Sequence, residues 1–102
     1  SYGVMGGDYQ PMGHLTVAVN RYVYGMDPQE AIDWARYFPK KGKVLVESQV
    51  PQSVKDGLAA LGHVLADPPA PLGGGQAIAI DRERGVLVGG SDPRKDGFAL
   101  GY

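Results

Sequence analysis

Gly73-Gly74-Gly75-Gln76-Ala77-Ile78-Ala79-Ile80-Asp81-Arg82-Glu83-Arg84-Gly85-Val86-Leu87-Val88 is the stretch that sets the fold class. Gln76–Ile80 and Val86–Val88 are apolar and rich in β-branched residues, and the polar turn between them closes on Gly85, which predicts a β-hairpin. Alternation puts Ile78 and Ile80 on one face of the first strand and Ala77 and Ala79 on the other. A strand apolar on both faces is expected inside a layered structure, covered from both sides. The triple glycine resembles a phosphate loop only superficially. It precedes a strand rather than a helix, and no Lys-Ser/Thr follows. It is read as a place of close backbone packing or a hinge.

Working upstream, Asp67-Pro68-Pro69-Ala70-Pro71 is a rigid, extended connector. Before it, Pro51 opens a helix with Val54, Leu58 and Leu61 on one side and Gly62 at its C-terminal stop, and His63-Val64-Leu65 is short and extended. Val44-Leu45-Val46 reads as a strand after the basic loop Pro39-Lys40-Lys41-Gly42-Lys43. Asp27-Pro28-Gln29-Glu30 is a capping-box signal, with Pro28 at the first helical position. That helix is expected to run through Trp34, a packing residue, and end near Arg36, with Ile32 and Ala35 toward a core. Residues 8–24 carry Met12, Leu15, Val19, Tyr22 and Val23 at helical spacing. Thr16-Val17-Ala18-Val19 is also compatible with a strand, but the spacing favours a helix, capped by Asp8 and stopped at Gly25. Downstream of the hairpin, Asp92 is expected to pair with Arg94 or to cap a turn before Pro93. The apolar tail Phe98–Tyr102 is expected to dock.

The chain has 102 residues and a net charge of −1, enough for one domain and without the basic excess that nucleic-acid binding needs. No apolar run approaches membrane-spanning length. Without cysteine, disulfides and thiolate chemistry are excluded, although the compartment is not fixed. A start at Ser1 suggests a processed piece or excised fragment, so residues 1–102 are read as a single domain or as part of a larger one. His14 and His63 lack ligand spacing, so no metal and no cofactor is expected. No serine sits in a nucleophile elbow. Ser1 has its own α-amine as a base in principle, but its place at a fragment boundary argues against it.

One further stretch has chemical potential: Gly3-Val4-Met5-Gly6-Gly7-Asp8. Glycine pairs ahead of a helix can present bare N–H groups to an anion or a developing oxyanion. The plainer reading is a tight turn feeding the helix. On the residues alone, the chain offers one possible oxyanion site and no nucleophile.

The pattern of Gly6-Gly7 before a long helix, then Tyr24-Gly25-Met26-Asp27-Pro28-Gln29-Glu30-Ala31 and Arg36-Tyr37-Phe38, resembles the gamma-glutamyltranspeptidase family. So do Gly74-Gly75-Gln76-Ala77-Ile78, Gly89-Gly90-Ser91-Asp92-Pro93-Arg94 and the terminal Gly101-Tyr102. The resemblance covers essentially the whole chain and corresponds to the C-terminal part of that family's small subunit. It implies an α+β fold, part of an N-terminal-nucleophile hydrolase αββα sandwich. It also implies a self-cleaving precursor whose exposed threonine attacks a γ-glutamyl amide such as glutathione and passes the acyl group to water or an amino acid. Gly6 and Gly7 are then the catalytic residues of this chain, as backbone donors of the oxyanion hole. The threonine lies upstream, in the partner part of the precursor or a large subunit, because Thr16 is mid-helix. Alone, the chain is expected to be inactive. Many family members have a proline and a small hydroxyl residue flanking the glycines; here they are Met5 and Asp8. Cephalosporin or glutaryl acylases of the same fold are the alternative enzyme reading, and a non-catalytic module that binds through apolar surface is the alternative of another class. A homo-oligomer is compatible with all three, and no membrane partner is expected.

Overall fold

The computed structural model describes Ser1–Tyr102. The chain divides into two compact units: residues 1–34 with 73–102, and residues 35–72. In chain order the elements are β1 (Tyr2–Met5), a 3₁₀ turn (Gly7–Tyr9), α1 (Gln10–Tyr22), α2 (Pro28–Asp33), β2 (Tyr37–Lys40), β3 (Lys43–Val46), α3 (Gln52–Ala60), β4 (Leu65–Ala66), β5 (Gly74–Asp81) and β6 (Val86–Ser91).

In the first unit, β5 is the central strand of an antiparallel sheet ordered β1-β5-β6. Met5 pairs with Gly74 and Val4 with Gly75, while Gln76 pairs with Ser91 on the other side. The hairpin expected from the sequence is present and longer than expected. Gly85, at φ 66, closes its loop, and Asp81 Oδ1 accepts the Arg84 N–H at 2.9 Å. α2 packs against β5 and β6, and α1 against β1 and α2. The core between helices and sheet holds Val4, Tyr9, Val17, Ala31 and Ile32. The helices cover one face of the sheet, and on the other Lys95 lies against Gly74, Gly97 against Gln76 and Ala99 against Gly89, which leaves the far end of that face open. Ile78, Ile80 and Leu87 are 49%, 63% and 68% exposed, so the double burial expected of this hairpin is not found. The helices cover the Ala77 and Ala79 side; the tail crosses the other with Gly97 close to Gln76 and Ala99 close to Gly89, while Phe98 and Leu100 stay 82% and 81% exposed.

α1 turns a different side inward from the one its large apolar residues suggested. Gly13, Val17 and Asn20 are buried, whereas Leu15, Tyr22 and Val23 are exposed. Close approach decides this. A Cβ at Gly13 would overlap Val4 Cγ1 and the Tyr9 ring, so α1 meets β1 along its small residues. Asn20 Nδ2 donates to Ala31 O at 3.3 Å, which ties α1 to α2. Asp8 is not the cap of α1. It lies within the 3₁₀ turn, and α1 begins after Tyr9 without a side-chain cap. The box on α2 forms as expected: Asp27 Oδ1 accepts the Glu30 N–H at 2.8 Å, and Glu30 Oε2 accepts the Asp27 N–H at 2.9 Å. α2 stops at Asp33, short of Arg36, because Trp34 turns to ψ 139. Trp34 itself is exposed rather than packed.

In the second unit, β2 and β3 form a hairpin, and β4 joins β3 in parallel. Lys41 and Gly42, at φ 49 and 75, make the two-residue turn whose twist suits a hairpin. The basic stretch is therefore partly strand, not loop alone. Pro39 sits on edge strand β2, where its missing N–H is tolerated. Buried Arg36 donates from Nη1 to Leu72 O at 2.7 Å, and its N–H donates to Glu47 Oε2 at 2.9 Å. Gly62, at φ 93, ends α3 as expected, with the His63 N–H returning to Leu58 O.

Candidate functional site

β1 ends where Met5 pairs with Gly74, and the chain then turns sharply. Gly6 is at φ 136, ψ 23 and Gly7 at φ 56. Residues with a Cβ rarely adopt these angles, so the sequence needs glycine at both positions. The turn is held through its carbonyls. Gly6 O accepts the Tyr9 N–H at 3.1 Å, and Gly7 O accepts the Gln10 N–H. The Gly6 and Gly7 N–H groups donate to no backbone acceptor of the chain, and both residues are exposed. They stand one turn ahead of the thirteen-residue α1, at the positive end of its dipole.

The corner is buttressed from below. Gly73, at φ 71, passes so close that a Cβ on it would overlap Met5 O and approach Tyr9 Cδ1 within 2.8 Å. A Cβ on Gly6 would in turn lie 3.0 Å from Gly73 Cα. Tyr9 is buried between Gly13 and Gly73. His14 holds the other flank. Its Nδ1 lies 2.7 Å from Gln10 O and its Nε2 3.3 Å from the Val4 N–H. The carbonyl can only accept and the amide can only donate. The ring therefore carries its proton on Nδ1 and accepts at Nε2, a neutral imidazole used as a brace.

The other residues singled out in the sequence do not converge on this corner. The Thr16 hydroxyl donates to Met12 O at 2.9 Å, as a mid-helix threonine does. The Ser1 amine donates to Ile78 O at 2.9 Å as an extension of the sheet. His63 lies in the second unit and is exposed. No group of three or more His, Asp or Glu side chains is placed to hold a metal ion. What the corner offers chemically is two successive amide N–H groups, without backbone acceptors, on exposed residues of a closely braced turn. The sequence pointed to Gly6 and Gly7 but not to their supports. The glycine triplet was the signal for Gly73, and it does not reveal its contact without the fold.

Residues 1–102 match the profile of the gamma-glutamyltranspeptidase family. The chain is 36% identical over 109 residues to the glutathione hydrolase-like YwrD proenzyme of Bacillus subtilis, an alignment that covers 98% of the chain and 21% of that relative. Among solved structures, the cephalosporin acylase of Bacillus halodurans superposes with a TM-score of 0.88 at 36% identity, over 99% of this chain and 20% of that one. The gamma-glutamyltranspeptidase of Pseudomonas nitroreducens, complexed with L-DON, gives a TM-score of 0.88 at 25% identity, over 99% of this chain and 54% of that one.

Proposed function

The chain belongs to the gamma-glutamyltranspeptidase family, and we propose that it supplies the oxyanion-binding part of an acyl-transfer site whose nucleophile lies upstream in a longer precursor. The observation that carries this reading is the Gly6–Gly7 corner, with both residues exposed and both N–H groups without a backbone acceptor. When a nucleophile adds to an amide carbonyl, negative charge collects on the oxygen. Fixed N–H donors stabilise that charge without reorganising, and losing one typically lowers the rate by about 10²–10³. The nucleophile is an N-terminal threonine of the upstream segment, with its own α-amine as base. This chain keeps Thr16 and the Ser1 amine in other bonds. The chain spans only 21% of the YwrD proenzyme, and its Ile78, Ile80 and Leu87 face is open, which supports a partner segment covering that side.

The acyl donor is a γ-glutamyl amide such as glutathione, and the acceptor is water or an amino acid. A second reading, acylase activity on glutaryl or cephalosporin side chains, is favoured by the 36% identity to the Bacillus halodurans acylase. The test is a panel of γ-glutamyl and glutaryl anilides given to the whole protein. Highest kcat/KM on the γ-glutamyl compound is expected. Highest kcat/KM on the glutaryl compound moves the assignment to an acylase, and turnover of neither overturns the acyl-transfer reading.

A further inference from the structure

Asp92 is 0% exposed, and its carboxylate is held from two directions. Oδ2 accepts the Gly75 N–H at 2.6 Å. Oδ1 accepts the Arg94 N–H at 2.9 Å and Arg94 Nη1 at 3.2 Å. The Asp92 N–H donates back to Gly75 O at 3.0 Å, so the two residues grip each other through both backbone and side chain. Arg94 extends the grip. Its Nη1 donates to Ile32 O at 3.1 Å, and its Nη2 to Trp34 O at 3.1 Å and Asp33 O at 3.4 Å. Those carbonyls belong to the end of α2, where the helix leaves them without intrahelical partners. Gly75 and Gly74 are in turn the partners of Val4 and Met5, the last residues before Gly6. A continuous set of bonds therefore runs from the end of α2, through Arg94 and Asp92, to the start of β5 and on to the end of β1.

We propose that Asp92 and Arg94 are a positioning pair for the Gly6–Gly7 corner. They fix where its two N–H groups point without touching substrate. The inference rests on the oxyanion reading of that corner. A charged acceptor on the Gly75 N–H is the stronger kind of hydrogen bond, and it is shielded here from water. Gly75 and Gly74 cannot shift without carrying Val4 and Met5, and a misplacement of about 1 Å at reacting groups lowers rates by about 10²-fold. Asparagine at 92 cannot reproduce the arrangement. One of its two terminal atoms becomes an NH₂ donor facing an N–H, so either the Gly75 bond or the Arg94 bonds are lost.

The test uses the whole protein and two variants, Asp92→Asn and the milder Arg94→Lys, which keeps the charge but not the fork that reaches several carbonyls. Active sites are counted by the first-turnover burst, so that kcat is expressed per site. Affinity for a boronic acid that forms a tetrahedral adduct with the nucleophile is measured beside it. For Asp92→Asn, kcat per site is expected to fall by about 10–100-fold with KM within about twofold, and boronate affinity to fall in parallel. Arg94→Lys is expected to move the same quantities in the same direction by a smaller factor. A purely structural role would reduce the number of sites and leave kcat per site and boronate affinity unchanged in both variants, and that result overturns the proposal. A protein with the Gly7 amide replaced by an ester serves as comparator. If the ester lowers kcat and neither side-chain variant does, the positioning role fails while the oxyanion reading stands. If the ester leaves kcat unchanged, the oxyanion reading fails and takes this inference with it.

Discussion

Replacing Gly73 by alanine separates two effects that a positive-φ glycine usually combines. Gly73 is at φ 71, and Gly85, in the β5–β6 loop, is at φ 66. Forcing an L-residue into that region costs about 1–2 kcal/mol at either site. The surroundings differ. A Cβ on Gly85 meets nothing within 4 Å, whereas one on Gly73 overlaps Met5 O and comes within 2.8 Å of Tyr9 Cδ1. Neither neighbour can yield easily. Met5 is paired to Gly74 in the sheet, and Tyr9 is buried in the core. Overpacking of this kind adds about 1–3 kcal/mol. The expected cost is therefore about 2–5 kcal/mol for Gly73→Ala and about 1–2 kcal/mol for Gly85→Ala, against a domain stability of about 5–15 kcal/mol. Urea unfolding of the whole protein measures both, with the comparison drawn from midpoints at unchanged m. If Gly73→Ala is no more destabilising than Gly85→Ala, the close approach beneath the corner carries no energy and the buttress argument is wrong.

Three further outcomes follow from single contacts. Asp27→Ala removes the cap of α2 and should cost about 1 kcal/mol in the same unfolding assay; no change would mean that the box is ornamental. His14→Leu leaves the Val4 N–H without its acceptor and should cost about 1–3 kcal/mol, with faster amide exchange at Val4; unchanged exchange there would contradict the neutral-imidazole brace. Gln29→Ala should cost about 1–3 kcal/mol, because the Gln29 amide both donates to Ser91 O and accepts from the Ser91 N–H at 2.8 and 2.9 Å. Exchange at Ser91 should quicken more than exchange at Ala79, and equal quickening would show a general loosening instead.

Local signals were legible in the sequence where the chemistry is local. The capping box at Asp27–Glu30, the stop at Gly62 and the β5–β6 hairpin each depend on neighbours a few residues away. The inward side of α1 depends on what it packs against. Large apolar residues at helical spacing suggested Leu15 and Tyr22, but Gly13, Val17 and Asn20 are the side that β1 and α2 can approach closely. β2 was hidden by Pro39, which is acceptable only because that strand is an edge. Asp8 has the right type for a helix cap, but the intervening 3₁₀ turn moves the start of α1 beyond its reach. The face of Ile78, Ile80 and Leu87 stays open in this chain for another reason: apolar composition reports that a face wants cover, not which segment provides it. At the candidate site, Gly6 and Gly7 could be read from an adjacent pair, whereas Gly73 and Asp92 support them across distances in sequence that only the sheet register brings together.

The most direct measurement is kcat of the whole protein with the Gly7 amide replaced by an ester through glycolic acid. Proline is unsuitable for this purpose, since its φ near −65° is incompatible with φ 136 at Gly6 or φ 56 at Gly7. Gly85→Ala, at a positive-φ glycine in the β5–β6 loop, is the control. Its Cβ meets nothing within 4 Å, and it should change stability by about 1–2 kcal/mol with little change in rate. The account predicts that the ester lowers kcat on a γ-glutamyl anilide by about 10²–10³ with KM nearly unchanged. An ester protein that turns over at the rate of the alanine control would contradict it.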